Sequence, residues 1–462
     1  MEFGFLSVIP SILAIVLALA TKNVFLALFA SLLVGNFMLS GYSLIGMLEG
    51  TKNMIVGVFS SSSSTSIIII LLTLGGMFYL IEKADGLKGF TALMIKKRSV
   101  VKSRVGAELF TWLIGVLVFI DGTLSVMITG SISRPLTKAF GISPEKTAWI
   151  VHSTATPMSI LIPIAAYGPY IASFIEAQGI ANPTAQMVQG IGFNFYCILA
   201  VIGVAAIILL RKDFGPMKQV EAAYLSSATG SVSNDDADEV DGDPAKAKFL
   251  LIPMILMIVV TIAYIFYSGG GSLMGGDAET GLIFGIMAGS IYTIIAMTVA
   301  KMGSLMDNIG IFITGCGNMM DIVTVMVFAY ALSDLLGALG TAGYLSAALV
   351  KFISPAVFTA VAFLFTCLIS FSTGSSAGTI AIMMPILLPM ALTLNVHIPM
   401  IVGAIAGGAV FGDHTSPISD TTIMSCSSTD CDVVSHVKTQ LPYSLCFAGA
   451  ALVLYLILGF VL

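Results

Sequence analysis

Charged side chains are scarce. They make up 10% of the 462 residues, against about 25% in a soluble domain, and that shortage excludes a water-soluble fold. Positive charge is not in excess either. With 20 basic against 25 acidic residues, a nucleic-acid-binding surface is not expected. The six cysteines (Cys197, Cys316, Cys367, Cys426, Cys431, Cys446) contain no CxxC pair. Most lie in apolar runs and read as small core residues, not as a disulfide or metal framework. HExxH is absent, and no enzyme is expected. The N-terminus has neither a basic segment nor a cleavage site, so 5–20 reads as a retained span.

What is present is apolar: 57% of residues are hydrophobic and the mean hydropathy is +1.01. Stretches long enough to cross a bilayer recur from Phe5 to Leu462, the pattern of an all-α polytopic membrane protein. One segment is watery. Residues 211–248 hold Asp235, Asp236, Asp238, Glu239, Asp241 and Asp243 and read as a flexible acidic linker on the cytoplasmic side. The linker separates a first transmembrane repeat, 1–210, from a second, 249–462. The halves resemble each other at an offset near 254: Gly35 falls on Gly289, Gly86-Leu-Lys-Gly89-Phe90 on Gly340-Thr-Ala-Gly343-Tyr344, and Lys97 on Lys351. With a few gaps, His152–Ser159 faces His414–Ser419. Such duplication is common in secondary transporters.

In the first half, spans are expected near 5–20, 24–41, 64–82, 147–172 and 190–210. The second half is expected to repeat them near 249–267, 281–300, 321–337, 400–425 and 443–461. Between them, 105–140 and 354–394 read as helical hairpins that enter the membrane and return. Their tips lie at Ile120–Thr123 and Ser370–Ser376, where non-helical backbone needs protein or water around it. Five crossings per half make the repeats inverted. With the linker inside, 18 of the 20 basic residues are cytoplasmic and only Lys52 and Lys351 are outside, as the positive-inside rule requires. Both termini are then outside. Serines 60–64 with Thr65, and Thr314–Asn318, read as loops lining a cavity.

The strongest interruption of apolar sequence is Phe411–Thr422, which holds Asp413, His414, Thr415, Ser416, Pro417, Ser419, Asp420, Thr421 and Thr422. Pro417 removes a donor and frees carbonyls near Asp413. Carboxylates, hydroxyls and freed carbonyls are the hard oxygen ligands a small alkali cation needs, and broken-helix ends favour ions. One charged side chain at mid-bilayer costs ~2.5–3.5 kcal/mol or more, so Asp413 is the first choice for a carboxylate neutralised by H+ or Na+. Asp420 reads as a second Na+ ligand or as a cap of the broken helix. His414 reads as a proton carrier or a hydrogen-bonded structural residue. Ser153, Thr154 and Thr156 offer neutral ligands. Asp121 at the first tip either completes the site or caps a helix. At the second tip, Ser372, Thr373, Ser375 and Ser376 offer hydroxyls for Na+ or a substrate carboxylate, while Gly374 serves the turn. Glu108, Asp321 and Asp334 read as helix-end or interfacial charges.

GDHTSPISDTT at 412–422, followed by Asp432 and His436–Tyr443, closely resembles the NhaC family of sodium/proton antiporters. The stretch from Asp121-Gly122 through Arg134-Pro135, Lys146 and Ser153–Pro157 is similar to that family too. Thr415 departs from the cysteine common there. The resemblance implies an inverted-repeat fold with re-entrant hairpins, and exchange of Na+ or Li+ for H+; some relatives couple these ions to organic acids such as malate and lactate. It makes Asp413, His414, Ser416, Ser419, Asp420 and Thr421 site residues. The expected function is therefore Na+(Li+)/H+ antiport across a bacterial cytoplasmic membrane, with no cofactor beyond the transported ions. The alternative is a Na+- or H+-coupled exchanger of small organic acids or amino acids. A homodimer is expected by analogy.

Overall fold

The computed structural model describes residues 3–21, 23–96, 103–119, 122–163, 165–228, 243–271, 276–341, 343–344 and 354–462. All regular structure among them is helical. The first half runs through α1 (Ile9–Thr21), α2 (Val24–Leu39), α3 (Leu44–Ser60), α4 (Ser62–Lys83), α5 (Gly86–Lys96), α6 (Arg104–Leu117), α7 (Gly122–Ala139), α8 (Pro144–Leu161), α9 (Tyr167–Glu176), α10 (Pro183–Gly192) and α11 (Phe195–Leu210). After α12 (Gly215–Ala228) come α13 (Lys248–Ser268), α14 (Ala278–Val299), α15 (Leu305–Gly317), α16 (Met320–Leu339), α17 (Pro355–Thr373), α18 (Ser376–Thr393), α19 (Ile398–Thr415), α20 (Asp420–Thr429) and α21 (Val433–Gly459).

Polar residues are placed where the helices start. Ser43, Ser61, Ser103, Ser143, Ser304, Ser375 and Ser419 each cap a helix N-terminus by accepting from a backbone N–H, which satisfies a donor that has no intrahelical partner. Among the described residues, seven helical segments are long and apolar enough to cross a bilayer, and α10 with α11 makes an eighth if taken as one path bent by 41°. On α13, Ile255, Val259, Ile262 and Phe266 are all at least half exposed. Their spacing puts them on one face, a stripe suited to lipid. The protein is an integral membrane protein with several spans.

Helix bounds repeat across the chain. α7 and α8, at 122–139 and 144–161, match α18 and α19, at 376–393 and 398–415, each 254 residues on. This register pairs Pro163, in the break after α8, with Pro417, in the break after α19. It corrects the expected pairing of His152–Ser159 with His414–Ser419: α8 continues through Pro157, and its break comes at 162–166. The expected loops at 60–65 and 314–318 are helix ends instead. Ser62–Thr65 opens α4, and Thr314–Gly317 closes α15. Part of the expected linker is also helical. α12 is rich in Ala, Met, Leu, Glu and Lys, which are good helix formers, and Glu221 on it accepts from the Ser143 backbone N–H at 2.8 Å and pairs with Arg104. The acidic run 229–242 lies outside the described residues.

Candidate functional site

α19 stops because Pro417 has no N–H to give the carbonyl four residues back, that of Asp413. The freed Asp413 carbonyl accepts from Thr422 Oγ1 at 3.3 Å instead, and the next carbonyl, of His414, accepts from Gln440 Nε2 at 2.7 Å. Ser416 and Ser419 are extended, and α20 starts afresh with Ser419 as its N-cap. The break is thus held open by side chains from two other places in the chain.

Two helical hairpins end against it. The α17–α18 turn is at Gly374, which has φ +65°, a conformation glycine adopts without penalty. A Cβ there would lie 2.9 Å from Ile418 Cγ1 and 3.1 Å from the Ser419 backbone nitrogen, so this tip sits directly on the break. At the α6–α7 tip, a Cβ on Gly122 would lie 3.5 Å from Thr421 Cγ2 and 3.7 Å from Thr156 Cγ2. The segment after Phe411 is therefore broken, and it lies between the two tips as the sequence implied. The second tip is tighter than expected: Ser370–Thr373 still belong to α17.

Asp413 is 1% exposed. Its Oδ1 accepts from Ser419 Oγ and its Oδ2 from Ser376 Oγ, the latter at 3.3 Å. Ser376 is also 2.8 Å from Tyr167 Oη. Among the described residues no Lys or Arg pairs with Asp413. From Ser419 a chain of contacts leads away: Ser419 Oγ to Thr421 Oγ1 at 2.9 Å, Thr421 Oγ1 to His152 Nε2 at 3.0 Å, and His152 Nδ1 to His436 Nε2 at 3.1 Å. Tyr196 Oη lies 3.2 Å from His414 Nδ1, and the His152 and His414 rings are 4.4 Å apart. Ser416 Oγ, Thr156 Oγ1 and His414 Nε2 are buried with no hydrogen-bond partner among the described residues. A buried carboxylate held by hydroxyls can take a proton or a small cation and cannot stay bare without cost.

The structure brings Asp413, Ser416, Ser419, Thr421, Thr156 and Ser376 to one region and separates others from it. Asp420 is exposed, accepts from Thr123 Oγ1 at 3.1 Å, and shares no hydroxyl with Asp413 among the described residues. Thr154 turns back onto Ile150 O at 2.6 Å, and Ser372 onto Leu368 O at 3.0 Å, so each is used by its own helix. Ser375 caps α18, and Thr373 pairs with Thr379 at 3.1 Å. Ser153 is buried in α8. Asp121 lies outside the described residues.

Sequence reasoning did not select His152, Tyr167, Tyr196, His436 or Gln440 as site residues. His152 is a histidine in an apolar run, and His436 and Gln440 lie in the 436–443 motif, whereas Tyr167 and Tyr196 carry no local signal. Glu108, read as a helix-end or interfacial charge, lies in the second turn of α6, is 2% exposed and is tied to Lys146 at 3.1 Å and Arg104 at 3.3 Å. Lys146 reaches on to Asp213 at 2.7 Å, so this is a buried ion network joining α6, α8 and the α11–α12 turn.

Residues 169–460 match the model of the Na+/H+ antiporter family. The chain belongs to that family. It is a transporter and not an enzyme. An uncharacterized protein of Haemophilus influenzae is 29% identical over 98% of this chain and 91% of its own length. The malate-2H(+)/Na(+)-lactate antiporter of Bacillus subtilis is 30% identical over 146 residues, covering 32% of this chain and 31% of that one. The Alcanivorax borkumensis YdaH transporter, whose topology is described as unusual, aligns with a TM-score of 0.63 over 90% of this chain and 89% of its own, at 15% identity. That last likeness concerns the fold alone.

Proposed function

We propose that this antiporter-family member exchanges Na+ or Li+ for H+ across the cytoplasmic membrane, with both ions competing for Asp413. The observation that carries the reading is a carboxylate 1% exposed, hydrogen-bonded to Ser419 and Ser376 and to no basic residue, where a helix break meets two hairpin tips. Ser416 Oγ and Thr156 Oγ1 are the spare oxygens for Na+. Asp420 is a charge at the rim rather than a shared ligand. The finer topology belongs to this proposal: two inverted repeats of five crossings, a re-entrant hairpin in each, and both termini outside. It is supported by the 254-residue recurrence of helix bounds and by the distribution of Lys and Arg. A homodimer and movement of the hairpins with the broken helices remain analogies to other carriers.

The test is transport in proteoliposomes by wild type and Asp413→Asn, read by pH dye and membrane current while Na+, Li+, K+ and organic acids are scanned. Wild type gives a proton signal with Na+ or Li+ alone, and Asp413→Asn abolishes it. Unchanged transport by the variant removes Asp413 from the site. One observation favours a second reading. The N-termini of α18 and α20, capped by Ser375 and Ser419, both open at this site, and helix N-termini attract anions. A proton signal that appears only when malate, lactate or an amino acid is added would establish an organic-anion or amino-acid exchanger in place of simple Na+/H+ antiport.

A further inference from the structure

Two cysteines that the transport site does not use converge at the far end of α20 with His436, the last residue of the contact chain from Ser419. Cys426 is in the last turns of α20, Cys431 is in the connection to α21, and His436 is in the first turn of α21. One ligand atom from each lies within 4.8 Å of the others. A tetrahedral site with metal–sulfur bonds of about 2.3 Å and metal–nitrogen bonds of about 2.0–2.1 Å needs ligand separations of about 3.6–3.8 Å. Small side-chain adjustments close that gap. Neither cysteine is in a disulfide.

The histidine carries the second, independent observation. His436 is fully buried; its Nε2 faces His152, and its Nδ1 has no hydrogen-bond partner among the described residues. An imidazole fixed through one nitrogen with the other free is how a metal-binding histidine is oriented. Cys431 is partly exposed beside exposed Asp430 and Asp432, which gives a route in from solvent.

We propose that Cys426, Cys431 and His436 form a binding site for a thiophilic divalent cation of the Zn2+ class, and that the bound metal clamps α20 to α21. α20 carries Asp420 and Thr421 at its other end, so a clamped α20 holds the transport site in one arrangement. Metal inhibits transport through that restraint. The inhibitory part rests on the transport reading above, whereas the binding part does not.

The test titrates the reduced full-length protein with Co2+ as a spectroscopic substitute for Zn2+. One equivalent producing thiolate-to-cobalt charge transfer and tetrahedral d–d bands, displaced by Zn2+, is expected. Cys431→Ser and His436→Gln should each weaken binding by more than about 100-fold. Cys431→His, which keeps a ligand, should retain the d–d bands with less charge transfer, and it carries the test if the serine variant does not fold. In proteoliposomes, Zn2+ at several times its Kd should inhibit wild type and leave Cys431→Ser unaffected. Absence of the charge-transfer band in wild type, or its persistence in Cys431→Ser and His436→Gln, overturns the site. A band with Zn2+-insensitive transport overturns the clamp. If metal-free wild type moves no Na+ or H+, the transport reading fails, and the cobalt titration still decides the metal site.

Discussion

Gly374→Ala tests whether the α17–α18 tip positions the break or merely lies near it. Two glycines make the measurement clean. Gly374 (φ +65°, ψ 28°) and Gly340 (φ +69°, ψ 25°) each end a helix in the left-handed region. Alanine at either position incurs the same backbone cost, about 1–2 kcal/mol. Their surroundings differ. At Gly340 no described atom lies within 4 Å of the added Cβ, whereas at Gly374 it meets Ile418 Cγ1 at 2.9 Å, and Ile418 C and Ser419 N at 3.1 Å. Two of those three are backbone atoms of the break and cannot rotate aside, so an overpacking cost of about 1–3 kcal/mol is added. Unfolding of the purified variants should show Gly374→Ala less stable than Gly340→Ala by that difference. Relief of the contact displaces Ser419 from Asp413, so Na+-driven proton movement should fall in Gly374→Ala and persist in Gly340→Ala. Equal stability losses with equal transport would refute the argument that the tip holds the site.

Lys146→Met removes the shared cation of Glu108 and Asp213 and should cost up to about 3–5 kcal/mol, because buried Glu108 is left with Arg104 alone; unfolding of Lys146→Met with Glu108→Gln should recover part of the loss. Gly412→Ala places a Cβ 2.2 Å from Phe371 N and 2.4 Å from Ser370 C, so α19 must move off α17. Stability and transport should both drop, while Gly310→Ala, with no described atom within 4 Å, should be neutral or slightly stabilising. Asp85, beyond the end of α4, is held below the ordinary carboxylate range by its hydrogen bond from Lys246 at 2.8 Å and by Lys88. The stability this pair contributes is present above about pH 4, the unfolded value, and fades as pH falls through the lower folded value. Asp85→Asn should therefore flatten the acid limb of a melting-temperature profile, by a small amount because the pair is one-third exposed.

The membrane class and the interrupted segment were legible because both are local. Scarce charge and long apolar runs define the helices, and Pro417 within a polar run breaks one by removing a specific donor. The second hairpin tip was legible for the same reason, as a serine cluster with Gly374 inside apolar sequence. What could not be read is which hydroxyls face inward. Thr154 and Thr156 are alike in sequence, yet one bonds back to Ile150 O and the other is left without a partner among the described residues. The gapped pairing of His152 with His414 matched identical side chains, although backbone register places the corresponding proline six residues beyond Pro157. The Cys–His cluster escaped notice because its ligands are spaced by a helix end and a turn, with no CxxC to announce them. The Lys146 network escaped because its members lie up to 117 positions apart, from Arg104 to Glu221.

Two buried acids in this chain show opposite solutions to one problem. Glu108 and Asp413 are 2% and 1% exposed. Glu108 is neutralised permanently by Lys146 and Arg104, and such a pair has no use for a solute. Asp413 has only hydroxyls, and a hydroxyl can donate to a carboxylate or, turned round, offer its oxygen to a cation. On the proposed reading, Asp413 therefore borrows its positive charge from outside, as H+ or as Na+. Left bare during a change of access, it would face the ~2.5–3.5 kcal/mol of an unpaired charge in the membrane, which at 1.36 kcal/mol per decade makes the empty carrier on the order of a hundred times slower to convert than the loaded one. That ratio, and not a separate gate, is what would turn a binding site into an exchanger. Replacing Asp413 by Asn removes the penalty along with the binding, so the variant is expected to lose coupled exchange without acquiring a fixed charge that locks the helices.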